Sequence, residues 1–384
     1  MIKLGKHWFF GISFLLVFIA SCTSPQKMLD QGNYYQAVMM SVEKLKSNPN
    51  NEKAKATLKA SYPYAVNDFI NKLEKEGVLN SQFKNTNQLT IYGQLNGLYE
   101  KIAQSPAAMN SIDNPQKYYS EYNKLLPLAA EEQYAEGERL LNLGGRENAK
   151  AAYGFYEKAD QFVPGYKNVN EQLNLSFELA LLKVYTIFEP IQSRTYELSA
   201  ETFYQQVKNT LQRIEQERFV RFVYGDGNAK RPQQDINQNL VISFEDFVVG
   251  ETHTRERIEQ VSRDSVKIGE TKLDNGRTKE IIGTVTAELK NFHIEVNSRG
   301  LVHLNIEDLN LNRNLVNEDL PGQYVWFHDW AEYQGDKRAL NDLQWNLCQQ
   351  RYRQPIPPQQ MFVEFTRPIY AQIDERLRRF YSNY

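Results

Sequence analysis

Apolar positions along the chain repeat at two different spacings, and the change between them divides the sequence. From about residue 26 to residue 180, apolar residues recur three and four positions apart, which is the spacing of one face of an α-helix. A clear example is the run Leu89, Tyr92, Leu95, Tyr99 and Ile102. This part of the pattern predicts packed helices, which we expect to be interrupted at Pro63 and Pro127 because proline rarely continues a helix.

Beyond residue 180 the pattern favours strands. Residues 181–224 predict one β-α-β unit, with "LLKVYTIF" before and "RFVRFVYG" after the helical stretch "SAETFYQQVKNTLQRIEQE". Residues 225–239 are polar and rich in turn formers, so they predict a linker. Residues 240–384 predict a β-rich domain with a helix at 336–352, a strand at Gln359–Phe365 and a final helix.

One hairpin within the β-rich stretch can be aligned from its pattern. The tripeptide at 298–300 predicts a three-residue turn, because its glycine favours positive φ. Such a turn places Ile294 opposite Leu304 and gathers the apolar residues on one face. The preceding Val285, Ala287 and Leu289 have the opposite parity, which predicts a β-bulge near residues 290–291.

Together these patterns predict an α+β protein. Its expected order is a signal segment at 1–21, an α-helical region at 22–180 and a β-α-β unit at 181–224. A linker at 225–239 and a β-rich domain with C-terminal helices at 240–384 complete the chain.

The first 21 residues predict an export signal. A basic start with Lys3 and Lys6 precedes an apolar segment of about 13 residues, whereas a membrane span needs about 20. The segment ends in Ile19-Ala20-Ser21-Cys22, which resembles the lipobox of bacterial lipoproteins. The resemblance implies cleavage before Cys22 and fatty acyl groups, palmitate among them, on the mature N-terminus. The residue after Cys22 is Thr23, whereas an Asp at this position would imply retention in the inner membrane. The resemblance therefore implies an outer-membrane lipoprotein that faces the periplasm. The alternative is a short membrane anchor ending at a chance cysteine.

Two helical segments share the spacing of small residues and prolines. Ala37 precedes Pro49 by the same interval that separates Ala152 from Pro164. A small residue lets two helices approach closely, and the proline ends the second helix. The segments resemble the second half of a tetratricopeptide repeat, with Tyr156 and Ala159 at its aromatic and small positions. The resemblance implies a helical surface that binds other proteins, here proteins of the cell envelope.

Charge and cysteine content narrow the possible partners. The net charge of −2 gives no reason to propose nucleic acid as a partner. The two cysteines are Cys22 and Cys348. With Cys22 lipidated, Cys348 has no intrachain partner, and we expect it to be a small buried hydrophobe on a helix.

The sequence contains no motif typical of catalysis, metal binding or phosphate binding. We therefore predict no catalytic residue, no metal and no cofactor. A metal-dependent hydrolase using His293, His303 and His328 is the least supported hypothesis, because a metal site needs three or four converging ligands. The hairpin alignment instead predicts a cross-strand pair between His303 and Glu295.

The densest aromatic cluster supplies the candidate binding residues: Tyr324, Trp326, Trp330 and Tyr333. If exposed, these rings could stack on sugars or anchor a partner protein; if buried, they are core. The main hypothesis is thus a non-catalytic scaffold or accessory lipoprotein that binds partners in outer-membrane assembly, secretion or cell-wall upkeep. The alternative is a lipoprotein that binds or cleaves glycans with its β-rich domain.

Overall fold

The computed structural model describes residues 24–225, 235–274 and 276–384, so Cys22 lies outside the described residues. The chain forms two compact units, the first ending at Leu179 and the second running from Ala180 to Tyr384. No helix in the described ranges has both the length and the apolar character that crossing a membrane requires.

The described part of the first unit is helical. Its helices are α1 (Pro25–Asp30), α2 (Tyr34–Ser47), α3 (Glu52–Val78), α4 (Lys84–Ala103), α5 (Pro106–Met109), α6 (Tyr119–Leu143), α7 (Arg146–Phe162) and α8 (Val169–Ala180). The side chains of Asn33 and Asn51 cap α2 and α3 by accepting hydrogen bonds from backbone N–H groups in the first turn. Gly144 and Gly145, both with positive φ, form the tight link between α6 and α7.

Both predicted helix interruptions are wrong. Pro63 lies inside α3 and Pro127 lies inside α6. Each helix continues because apolar side chains are buried on both sides of its proline, for example Leu58 and Phe69 in α3. Packing of a long apolar face therefore outweighs the hydrogen bond that each proline removes.

The second unit contains a five-stranded sheet in the order β2-β1-β3-β4-β5. The strands are β1 (Leu182–Phe188), β2 (Val220–Gly225), β3 (Gln238–Lys272), β4 (Thr278–Asp308) and β5 (Arg313–Gly335). The helices are α9 (Glu197–Glu217), a 3₁₀ turn (Lys337–Ala339), α10 (Asp342–Gln349) and α11 (Pro358–Tyr381). Strand β1 is parallel to β2 and β3, while β3, β4 and β5 are antiparallel. The α+β class is thus confirmed, with helices first and the sheet after them.

The sheet joins segments that the sequence analysis separated. Strands β1 and β2 of the β-α-β unit share one sheet with β3, because β1 pairs with β3 from Val184 to Phe188. The backbone N–H of Asn237, inside the proposed linker, also donates to the carbonyl of Lys183. Residues 181–224 and 240–384 therefore belong to one compact unit, a long-range pairing that local composition does not reveal.

The predicted turn at 298–300 is wrong, because β4 runs through it without reversing. Gly300 lies opposite Gly322 of β5. A Cβ atom on Gly300 would lie 2.7 Å from the Phe365 ring, and one on Gly322 would lie 2.2 Å from the Phe365 carbonyl oxygen. The two glycines thus allow α11 to approach the sheet backbone closely, which is a different use of glycine from the turn we predicted.

The predicted bulge near 290–291 is also wrong. Residues 287–306 of β4 pair with β5 without a register shift, so their parity is constant. We call the two sides of the sheet the even face and the odd face, after the side chains of β4 and β5 that they carry. Helices α9 and α11 cover the even face around Leu304. The 3₁₀ turn and α10 cover the odd face around Val285 and Leu289.

The chain crosses between these two covers in residues 350–357, which we call the crossing segment. It starts after α10 on the odd face and ends near Ile356, which packs on the even face beside Met361 of α11. It passes β5 where the His328 ring donates a hydrogen bond to the Arg351 carbonyl oxygen, 2.7 Å away. Because a carbonyl oxygen only accepts, His328 Nε2 is the donor. The buried residues of β4 therefore change from odd to even positions because the covering helices change face, and not because the register of the strand shifts.

The predicted strand at Gln359–Phe365 is the first half of α11. Its apolar residues continue at helical spacing through the internal Pro368, as Phe362, Phe365, Ile369, Ile373, Leu377 and Tyr381. All six are completely buried. A short apolar run does not distinguish a strand from a buried helix, and the packing of the whole 24-residue helix decides the outcome here.

Candidate binding surfaces of the two units

Strand β5 carries the four aromatic candidates, and it divides them between the two faces of the sheet. Tyr324, Trp326 and Trp330 lie on the even face and are half-buried beside Ile294 and Met361. Tyr333 lies on the odd face, where its ring meets that of Trp345 in α10 at 6.0 Å. The four rings therefore form no single platform.

The even-face rings form a ladder that holds the crossing segment. The Trp330 ring stacks on Phe292 at 4.9 Å and on His328 at 5.7 Å. Tyr352 of the crossing segment packs edge-on against Trp330, with 5.5 Å between ring centroids. Trp330 is thus half-buried because it packs beneath the crossing segment. Trp326 lies four residues earlier in β5.

The odd face carries two histidine–aspartate pairs. His293 Nδ1 is 2.7 Å from Asp329 Oδ1, and His303 Nδ1 is 2.7 Å from Asp319 Oδ1. The predicted partner of His303, Glu295, instead lies 3.7 Å from His293 Nε2. A hydrogen bond from the Asn297 side chain, with a smaller contribution from the nearby His293 ring, lowers the pKa of Glu295. Sequence reasoning missed both pairs, because the partner strand was assigned incorrectly.

The three histidines of the hydrolase hypothesis do not come together. His293 and His303 lie ten positions apart on the odd face of β4, about 33 Å at the usual rise per residue. His328 lies on the even face with the crossing segment. Across residues 24–225, 235–274 and 276–384, no group of three or more His, Cys, Asp or Glu side chains is arranged to hold a metal ion.

A shallow depression of about 500 Å³ lies over the paired glycines. Leu301 and Pro321 supply apolar lining, and Arg299 and Asp246 supply opposite charges. Register shifts in β3 around residues 244–251 bend that strand at this point. The depression is open to solvent, and Gln323 of β5 also lines it.

Cys348, the cysteine that lies within the described residues, is partly buried. Cys348 lies in α10 and packs with Leu289 and Leu340, and burial raises the pKa of its thiol. This position fits the predicted role of a small hydrophobe on a helix.

The helical unit has a cleft between α3 and residues 112–116. It measures about 530 Å³, and Tyr62, Val66 and Ile70 line it on the helix side. Pro63 also lines it, so the carbonyl of Lys59 has no helical N–H partner there. The cleft combines apolar side chains with a few polar ones, among them Asn67 and Gln116, a combination suited to ligand binding.

Comparison with protein families and with curated proteins identified no relative. No protein-family model matches the sequence, and no curated protein matches it at a significant level. The function must therefore be argued from the residues themselves.

Proposed function

We propose that this chain is a lipid-anchored, non-catalytic scaffold or accessory protein of the bacterial cell envelope. In this proposal Cys22 carries the lipid, the anchor places the protein at the outer membrane facing the periplasm, and tetratricopeptide-like helix pairs bind partner proteins. Its process is outer-membrane assembly, secretion or cell-wall upkeep.

The packing of α6 against α7 is the observation that carries the proposal. Ala152, Tyr156 and Ala159 are all completely buried on the side of α7 that packs in this pair. A Cβ atom on Gly137 of α6 would lie 2.8 Å from the Tyr156 ring, so the two helices approach closely. Small residues and one aromatic between two helices are what a repeat unit needs in order to stack.

A second helix pair supports the same reading. Ala37 of α2 is completely buried, and its neighbour Val38 packs with Leu58 of α3. Pro49 follows α2 in the turn that leads to α3. The cleft lined by Tyr62, Val66 and Ile70 lies on this part of the unit, and we propose it as the peptide-binding surface.

The lipid anchor is tested by the variant Cys22→Ala, with Cys348→Ala as the matched control. We expect Cys22→Ala to leave the outer-membrane fraction and to incorporate no labelled palmitate, while Cys348→Ala behaves as wild type. Continued fractionation of Cys22→Ala with outer membrane would contradict the anchor.

The cleft is tested by chemical crosslinking and purification from solubilised membranes. Asn67 is exposed and lines the cleft, so Asn67→Arg should block it without affecting the core. The control is Asn50→Arg at an exposed position outside the cleft. We expect one stoichiometric protein partner that Asn67→Arg loses and Asn50→Arg retains. Recovery of glycan in place of protein would instead favour the glycan-binding alternative.

A further inference from the structure

The sheet has two long edges that no described strand covers, and they differ sharply in protection. Strand β1 pairs with β3 only as far as Ile242, so the rest of β3 is open on that side. Strand β5 is the last strand of the sheet, so no described strand pairs with its outer side. Open edges invite pairing with other chains unless charges, bulges or prolines prevent it.

The β3 edge carries two of these protections, β-bulges and charged residues. Its pairing with β4 shifts register at four places, and each shift bends the edge away from a straight template. Charged residues also follow one another closely along it, as Arg255, Glu256, Arg257, Glu259, Arg263 and Asp264.

The β5 edge lacks them over eight residues. The sequence "LPGQYVWF" from Leu320 to Phe327 contains no charged residue. Its pairing with β4 is unshifted from Val316 to Gly335. The only protecting residue is Pro321, and the rest of the segment is a straight, uncharged strand.

Pro321 also shows which backbone groups point outward. Its carbonyl oxygen accepts a hydrogen bond from Gln372 Nε2 of α11 at 2.9 Å. The N–H of Asp336, directly after β5, donates to the Thr286 carbonyl of β4, so the even-numbered positions of this ladder face β4. In an antiparallel ladder the N–H and C=O of one residue point to the same side, and alternate residues share that side. The N–H and C=O groups of Gln323, Val325 and Phe327 therefore point away from β4, and no described strand pairs with them.

The open stretch is bounded at both ends. Gln372 occupies the edge at Pro321, and the crossing segment passes around it beside His328. Between them lie residues 323–327, about 15 Å of strand at the usual rise per residue. A second copy of this chain would bring its own α11 and crossing segment to the same edge, whereas a single extended peptide needs only the width of one strand.

The side chains around this stretch define the chemistry of the occupant. Phe327 is 63% exposed and Val325 is 41% exposed, both on the odd face. Tyr324 and Trp326 are half-buried on the even face. An added strand thus meets apolar or aromatic neighbours on both faces and no charge between Leu320 and Phe327.

We propose that residues 323–327 of β5 bind an extended, uncharged segment of a partner protein as an additional β-strand. The main-chain hydrogen bonds supply affinity, and the four flanking side chains select β-branched or aromatic residues. This surface lies in the sheet unit and goes beyond the helical cleft of the proposed function, so either surface can fail without the other.

The test uses the full mature chain in detergent and a fluorescent seven-residue peptide of alternating Val and Thr with a terminal lysine for solubility. Two further peptides carry N-methyl groups on the Val or on the Thr residues. We expect the parent peptide and one methylated peptide to bind, because only one set of N–H groups faces β5. Binding by both methylated peptides, by neither, or by no peptide at millimolar concentration would overturn the proposal.

The matched variants are Val325→Lys on the β5 edge and Ile258→Lys on the β3 edge, both at exposed apolar positions. We expect Val325→Lys to weaken peptide binding about tenfold or more, equivalent to about 1.4 kcal/mol, and Ile258→Lys to change it less than about twofold. If Val325→Lys does not fold, Gln323→Pro removes one outward N–H and should give the same loss. Equal effects of the edge variants, or a dimer in sedimentation that Val325→Lys dissociates, would overturn the partner assignment.

Discussion

The two halves of the β3-β4-β5 sheet are buried from opposite sides. Around Leu304 the even face is covered by α9 and α11, whereas around Leu289 the odd face is covered by the 3₁₀ turn and α10. Strands β4 and β5 keep one register with each other through the change. The apolar residues of one strand can therefore change from even to odd positions without a bulge. Such a change can mark the place where the covering helices move from one face of the sheet to the other.

The first prediction, with the largest expected effect, tests how closely α11 packs on the even face of the sheet. Gly322→Ala would place its Cβ 2.2 Å from the Phe365 carbonyl oxygen and 2.5 Å from Ile369 Cγ1, so α11 must shift. We expect the free energy of unfolding to fall by about 3 kcal/mol. Trp326, Trp330 and Trp345 all lie in the sheet unit, so tryptophan fluorescence during urea unfolding reports this unit.

The control is Gly269→Ala in β3, where the nearest atom to the new Cβ is 3.8 Å away. That variant should change the unfolding free energy by less than about 1 kcal/mol. Similar losses for the two variants would show that the paired glycines do not set the approach of α11.

The second prediction compares the two covers directly. Leu304 and Leu289 are both completely buried, on the even and odd faces respectively. We expect Leu304→Ala and Leu289→Ala each to lower the unfolding free energy by about 2–4 kcal/mol. The exposed neighbour Glu288, replaced by Ala, should cost less than about 0.5 kcal/mol. If Leu289→Ala costs as little as Glu288→Ala in urea unfolding, the odd face has no cover there.

A smaller effect concerns the polar link between α9 and α11. Partial burial raises the pKa of Asp374, but hydrogen bonds from Thr210 and Arg378 outweigh it and lower the pKa overall. Arg378 Nε lies 2.8 Å from Asp374 Oδ2. A lowered pKa means that this stabilisation is present above the unfolded pKa, near 3.9, and is lost as the pH falls through the folded value.

We therefore expect Asp374→Asn to lower the unfolding free energy by about 1–2 kcal/mol at pH 7. The difference from wild type should shrink below about pH 4. A difference that is the same at pH 7 and pH 3 would exclude a charged role for Asp374.

The prediction with the smallest expected effect tests whether apolar packing alone stabilises the core on the even face. Tyr381 is completely buried against Phe222, and its hydroxyl has no hydrogen-bond partner among the described residues. We expect Tyr381→Phe to be neutral or to stabilise by up to about 1 kcal/mol in urea unfolding. A loss above about 1 kcal/mol would reveal a hidden hydrogen bond.

Burial also raises the pKa of Tyr381, so its stabilising contribution is present below the unfolded value, near 10, and is lost as the pH rises further. The wild-type chain should therefore lose stability between pH 9 and pH 11 more steeply than Tyr381→Phe.

Local sequence patterns predicted the parts of the fold that depend on neighbouring residues. The β-forming residues around Val184 and Val220 and the helical stretch around Leu211 led to β1, β2 and α9. The failures involve partners far apart in the chain. Gly300 was interpreted as a turn because Phe365, the residue that requires it, lies 65 positions away.

The same limit applies to the candidate surfaces. Clustering of aromatic residues located Tyr324 and Trp326 on β5, but the open edge beside them depends on the order of all five strands. The absence of charge from Leu320 to Phe327 was the available signal, and it becomes meaningful only once β5 is known to be an edge.

The crossing segment constrains the order in which the sheet unit can assemble. It follows all five strands in the chain and must pass around an already paired β5 before α11 can reach the even face. Until then Leu304, Ile306 and their neighbours lack the cover that α11 supplies, and partly exposed apolar strands of this kind aggregate readily. Docking of the last 24-residue helix thus buries this apolar surface and completes the cover of the even face.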